Sequence, residues 1–80
     1  MTLTEAIRAR ICGLCAERGL SINKLASLCG ITQSTLSNIF RRECAKPTVS
    51  TIKKVCDGLE ISLGEFFCCE IFDGLEQEIK

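Results

Sequence analysis

Between Ser21 and Arg42 the chain reads SINKLASLCGITQSTLSNIFRR, two short apolar-periodic runs hinged at a single glycine. No other stretch constrains the fold as strongly. Ser21 is placed to cap a helix that carries Ile22, Leu25, Ala26 and Leu28, and Gly30 supplies the left-handed position that ends it. Thr32 can cap the next helix, with Leu36, Ile39 and Phe40 facing inward and Gln33, Ser34, Ser37 and Asn38 largely outward. That outer face is polar but uncharged. Two capped helices of about eight and ten residues, joined with room only for a tight turn, have the geometry of a helix-turn-helix whose second member enters the DNA major groove.

The rest of the chain is also helical in pattern, with apolar residues recurring at i, i+3 or i+4 and no useful length of period-two alternation. Thr2 and Glu5 form a capping-box pattern that opens a first helix with Ile7, Ile11, Leu14 and Cys15 on its buried stripe, ending near Gly19. Pro47 separates the third helix from a fourth, which Thr48 can cap and whose core stripe is Ile52, Val55, Cys56 and Leu59. Ser62 and Glu65 repeat the capping box at a fifth helix running through Phe66 and Phe67. The final CEIFDGLEQEIK fits two conformations: a helix with Ile71, Phe72, Leu75 and Ile79 on one face, or an extended tail folded back on the domain, with Gly74 weakening the helix.

Eighty residues suit one small domain in the size range where partner burial often adds stability. No stretch approaches the roughly 18 uninterrupted apolar residues of a membrane span, and Glu5, Arg8 and Arg10 stand where a signal peptide would have its apolar core. A cytoplasmic protein is expected. The net charge of zero conceals a division: residues 1–54 hold nine basic and three acidic side chains, residues 55–80 one and seven. Such a chain can offer its basic part to a polyanion while its acidic end faces away.

The seven cysteines are odd in number and no export signal precedes them, so reduced thiols are expected. Cys12 and Cys15 form C-x-x-C, but histidine is absent and there is no second such pair, so neither metal nor cofactor is expected. Cys29 and Cys56 fit the core as small hydrophobes, and Cys68 and Cys69 are the best candidates for exposed thiols. No phosphate loop, nucleophile elbow or paired-carboxylate motif is present, and no enzymatic activity is expected.

The segments ERGLSINKLASLCGITQSTLSNIF and KPTVSTIKKVCDGLEISLGEFF resemble the phage-repressor and Cro-like (Xre-type) helix-turn-helix family, over roughly residues 5–67. The resemblance implies an all-α, five-helix lambda-repressor-like domain over residues 1–68, with the helix-turn-helix at 21–41 and a short acidic C-terminal segment at 69–80. It implies a sequence-specific reader of double-stranded DNA, usually dimeric on a two-fold operator, with the third helix in the major groove. Gln33 and Ser34 match its base-facing positions, with Ser37 and Asn38 one turn on. Ser21, Thr32 and Lys24, with Arg41, Arg42 and Lys46 of the following loop, match positions along the phosphates. A glutamine amide paired with adenine N6 and N7 is worth about 1–3 kcal/mol of discrimination.

Three departures stand out. Cys15 and Phe40 occupy places where the family has a buried arginine–glutamate pair, and losing both charges together reads as a repacked core. Ile22 replaces a glutamine that buttresses the reading glutamine, and Arg42 replaces a glycine. The expected function is transcriptional regulation by a homodimer, with Phe66, Phe67, Ile71, Phe72 and Leu75 as the dimer contact because they form more apolar surface than a small monomer easily covers. Two alternatives keep the same fold: a protein-interaction module, antitoxin-like or regulator-binding, that engages a protein partner through the acidic segment, and a thiol- or metal-responsive regulator.

Overall fold

The computed structural model describes residues 1–41 and 47–79, and every regular element in them is helical: α1 (Leu3–Arg18), α2 (Ile22–Cys29), α3 (Gln33–Arg41), α4 (Val49–Leu59) and α5 (Leu63–Phe67), followed by a 3-10 turn at Glu70–Phe72. The caps are formed by the residues that the sequence pattern marks. Thr2 Oγ1 accepts the Glu5 N–H and Glu5 Oε1 accepts the Thr2 N–H, a reciprocal box that holds the Glu5 carboxyl below its ordinary range. Ser21, Thr32, Thr48 and Ser62 each accept an N–H from three residues on. Gly19 and Gly30 close α1 and α2 in the left-handed region, at φ 64° and 68°.

The end of α4 departs from this pattern. Gly58 lies inside the helix, and the left-handed cap falls on Glu60 at φ 60°, which is the less favourable choice for a side chain with a Cβ. The reason is packing: a Cβ on Gly58 would sit 2.6 Å from Cys29 Sγ and 3.1 Å from Cys29 Cα. Glycine is spent here on the approach of α4 to α2.

Helix α2 is the hub, packed most extensively on α4 and next on α3, while α1 lies against α3 and the C-terminal turn. The interior closes around Ile11, Leu25, Leu36, Val55, Cys56, Leu59 and Phe66, each 1 % exposed or less. Burying side chains of this size contributes about 1.5–3 kcal/mol each. Leu28, part of the apolar run of α2, is 49 % exposed, because the stripe set by Leu25, Ala26 and Cys29 turns it to solvent.

The C-terminal segment takes the folded-back form. After the 3-10 turn, the Glu76 N–H donates to the Met1 carbonyl (3.1 Å), and the Glu76 carboxylate lies 3.7 Å from the terminal ammonium. Phe72 is carried onto Phe66 and Phe67, with ring centroids 6.2 and 4.9 Å apart. The fold therefore corrects one expectation about the dimer contact. Phe66 is fully buried in its own core and has no surface to offer a partner; Ile71, Phe72 and Leu75 are half-buried and Phe67 is exposed.

Candidate nucleic-acid interface

The outward face of α3 is built by two i, i+4 rows. Gln33 and Ser37 form the row nearer α2, and Ser34 and Asn38 form the row beyond it. Gln33, Ser34 and Asn38 are exposed and Ser37 is half-buried. The helix is held from behind by Leu36 and Ile39 in the core, so these short polar groups stand on a rigid support. Amides and hydroxyls that carry no charge can both donate and accept, which is what the edges of base pairs require.

The starts of α2 and α3 come together. Ile22 and Asn23 at the first turn of α2 line one recess with Gln33, Ser37 and Phe40 of α3. Ser21 Oγ accepts the Lys24 N–H at 3.1 Å, and Thr32 Oγ1 accepts the Thr35 N–H at 3.1 Å while sharing a 2.8 Å hydrogen bond with the Thr35 hydroxyl. Both hydroxyls therefore act as caps, at helix N-termini whose dipoles favour an anion. Lys24 is exposed one turn further along α2. Arg42 and Lys46, with the side chain of Arg41, lie outside the described residues.

Sequence reasoning did not find Asn23, which lines the same recess as Gln33 although it lies ten positions earlier in the chain. It also counted Arg8 and Arg10 as plain members of a basic front. Arg8 donates Nε–H to the Ile39 carbonyl in the last turn of α3. Arg10 donates to the Phe66 and Glu65 carbonyls at 2.8 and 2.9 Å, closing the end of α5. Lys53 pairs with Asp57 on α4. The charge division along the sequence is thus partly cancelled in space, and two arginines act as clamps. The Arg8 link also holds α1 to the end of α3, next to Phe40 in the chain; of the two residues that stand where the family has an ion pair, Cys15 is buried and Phe40 half-buried.

Cys15, Cys29 and Cys56 are buried, and desolvation pushes their thiols up, Cys29 to about 11. Cys12 and Cys68 are exposed and Cys69 is half-buried. The two thiols of C-x-x-C thus face different surroundings, one water and the other the core.

The profile of the Cro/C1-type HTH DNA-binding domain matches residues 10–70, which include the whole of this face. The chain belongs to the Cro/C1-type helix-turn-helix DNA-binding domain family. Within that family it is similar to the HTH-type transcriptional regulator SlrR of Bacillus subtilis (strain 168), 43 % identical over 54 residues, which are 68 % of this chain and 36 % of that protein. The chain therefore spans about a third of the length of this relative. Its fold is similar to that of the prophage Lp1 protein 11, with a TM-score of 0.82 and 33 % identity over 94 % of this chain and 99 % of the other. In this Cro/C1-type domain α2 ends at the left-handed Gly30 and α3 opens three residues later with Gln33 at its first position.

Proposed function

We propose that the chain is a non-enzymatic transcriptional regulator that acts in the cytoplasm by occupying a two-fold operator as a homodimer. The observation that carries this reading is the uncharged polar outer face of α3, backed by core residues and flanked by two capped helix starts. Gln33 and Ser34 face base edges, with Ser37 and Asn38 extending the contact by a turn. Ser21, Thr32 and Lys24 lie along the phosphates, joined by Arg41 at the last position of α3 and by Arg42 and Lys46 from their place in the sequence after it. Each phosphate neutralised steepens the salt dependence of binding by about 0.9. The outer edge of α5 and the tail, Phe67 with Ile71, Phe72 and Leu75, forms the dimer contact. Glu70, Asp73 and Glu78 stay exposed on the tail, where a basic protein partner would dock under the second reading.

The test is selection from random duplex DNA with reduced protein at about 0.1 M salt, where non-specific backbone attraction is much reduced. An inverted repeat with half-sites about one helical turn apart is the expected product. A pool without enriched sequence overturns the reading.

A further inference from the structure

The recess between the first turn of α2 and the side of α3 is a hollow of about 260 Å³ on the face that carries Gln33. Its deeper surface is apolar. Ile22 and Phe40 are half-buried and pack on the core, while Gln33 and Asn23 stand exposed at the rim with half-buried Ser37 between α3's ends. Gln33, Ser37 and Phe40 follow one another at i, i+4 and i+7, so the hollow runs along α3 beside its outward face. An apolar floor inside a polar reading face calls for an apolar group on the ligand.

We propose that Ile22 is a specificity-determining residue: the 5-methyl group of a thymine, at the base step beside the adenine paired by Gln33, seats in this hollow against Ile22 and Phe40. The inference rests on the operator-binding function proposed above. Thymine alone among the four bases presents an apolar group in the major groove. Cytosine at the same step presents only a C5–H there and leaves the hollow unfilled. Gln33 and Ile22 then act as a pair, one reading a purine by hydrogen bonds and the other its neighbour by methyl contact.

Deoxyuridine differs from thymidine by this methyl alone, which makes the test direct. The selected duplex is compared by fluorescence anisotropy with duplexes that carry deoxyuridine at one thymine position at a time, using the reduced 80-residue chain. Wild-type protein is expected to lose about fourfold in affinity per half-site at the step beside the Gln33 contact, the size of one methyl removed from its burial. Ile22→Gln, confirmed as folded by circular dichroism, is expected to bind the thymidine and deoxyuridine duplexes equally. Ile22→Val retains an apolar floor and is expected to show a reduced penalty, which keeps the test decisive if the glutamine variant does not fold. Equal binding of the two duplexes by wild-type protein overturns the proposal, as does an unchanged penalty in both variants. A selection that enriches no sequence is a different failure, since it overturns the operator reading itself and this inference with it.

Discussion

Helices α3 and α4 open with nearly the same residues, Thr32-Gln33-Ser34-Thr35 and Thr48-Val49-Ser50-Thr51, and their starts are built alike. In each, the first threonine accepts an N–H from the second at 3.1 Å and the two hydroxyls lie 2.8 or 3.1 Å apart. Each then buries an aliphatic residue, Leu36 at 0 % and Ile52 at 3 % exposure, and each packs on α2. Beyond this the two diverge. The first helical position is glutamine on α3 and a valine 66 % exposed on α4. The outer face of α3 is uncharged, whereas α4 carries Lys54 and the paired Lys53 and Asp57. Gly58 lets α4 close flush on Cys29 of α2, whereas α3 leaves a hollow beside Ile22. Helix α3, the proposed reader, is fixed through its core face but left open along its side; α4, the proposed support, is sealed on both counts.

The largest effect should fall where the two helices are alike. Leu36→Ala and Ile52→Ala are each expected to cost about 2–5 kcal/mol in denaturant unfolding, since both remove a buried branched side chain from a closed core. In an 80-residue domain that is a large share of the total stability. A loss well below about 2 kcal/mol in one variant alone would show that the two helices do not share one core on equal terms.

The next separates them by function. Gln33→Ala is expected to lower discrimination between the selected site and a variant at the contacted base by about 1–3 kcal/mol, while Val49→Ala leaves it unchanged. Quantitative competition with both duplexes measures this. Equal effects would dissolve the distinction between reader and support.

The seams supply a comparison of similar size. Gly58→Ala is expected to destabilise by about 1–3 kcal/mol, because its methyl meets Cys29 and the backbone behind it. Gly13→Ala in α1 meets nothing within 4 Å and should stabilise by about 0.5–1 kcal/mol, the usual helix-interior gain. Opposite signs in two thermal melts confirm that α4 is closed on α2; a stabilising Gly58→Ala would mean that the seam is loose.

How much of this was legible in the sequence depends on whether the signal was local. Caps, left-handed glycines and core stripes act within a few residues, so Thr2, Ser21, Gly30, Thr48 and Ser62 could be placed from pattern alone. The outer face of α3 followed from periodicity. The long-range arrangements did not. Nothing near Arg10 indicates that it closes a helix more than fifty residues away, and nothing near Gly58 indicates that Cys29 fills the space a side chain would need. Leu28 fits the apolar run of α2 but falls off its buried stripe, and Phe66 reads as surface because a burial site made by residues distant in the chain is invisible to a local pattern. The T-x-S-T opening is the sharpest case, since the same letters begin α3, the proposed reader, and α4, which closes on α2.

The smallest effect at neutral pH is a titration of the closed seam. The Cys29 thiol is pushed up to about 11, first by desolvation and then by neighbouring Cys15, Cys56 and Asp57. Below the ordinary thiol range, near 8.5, folded and unfolded chains both hold the proton and the group leaves stability unchanged. As pH rises from about 9 towards 11, the unfolded chain loses that proton and the folded one retains it, so stability falls; Cys15 and Cys56, shifted the same way, add to the fall. Denaturant midpoints under reductant should therefore be flat to about pH 8.5 and decline above it, with a shallower decline in Cys29→Ala. Ile22, Asn23, Gln33, Ser37 and Phe40 at the open seam have no group that titrates in this range, so the pH dependence belongs to the α2–α4 seam and not to the α2–α3 recess. A midpoint that stays flat through pH 10, or a decline identical in Cys29→Ala, would show that the α2–α4 seam admits enough water to hydrate a thiolate, and the contrast between a sealed and an open side of α2 would fail with it.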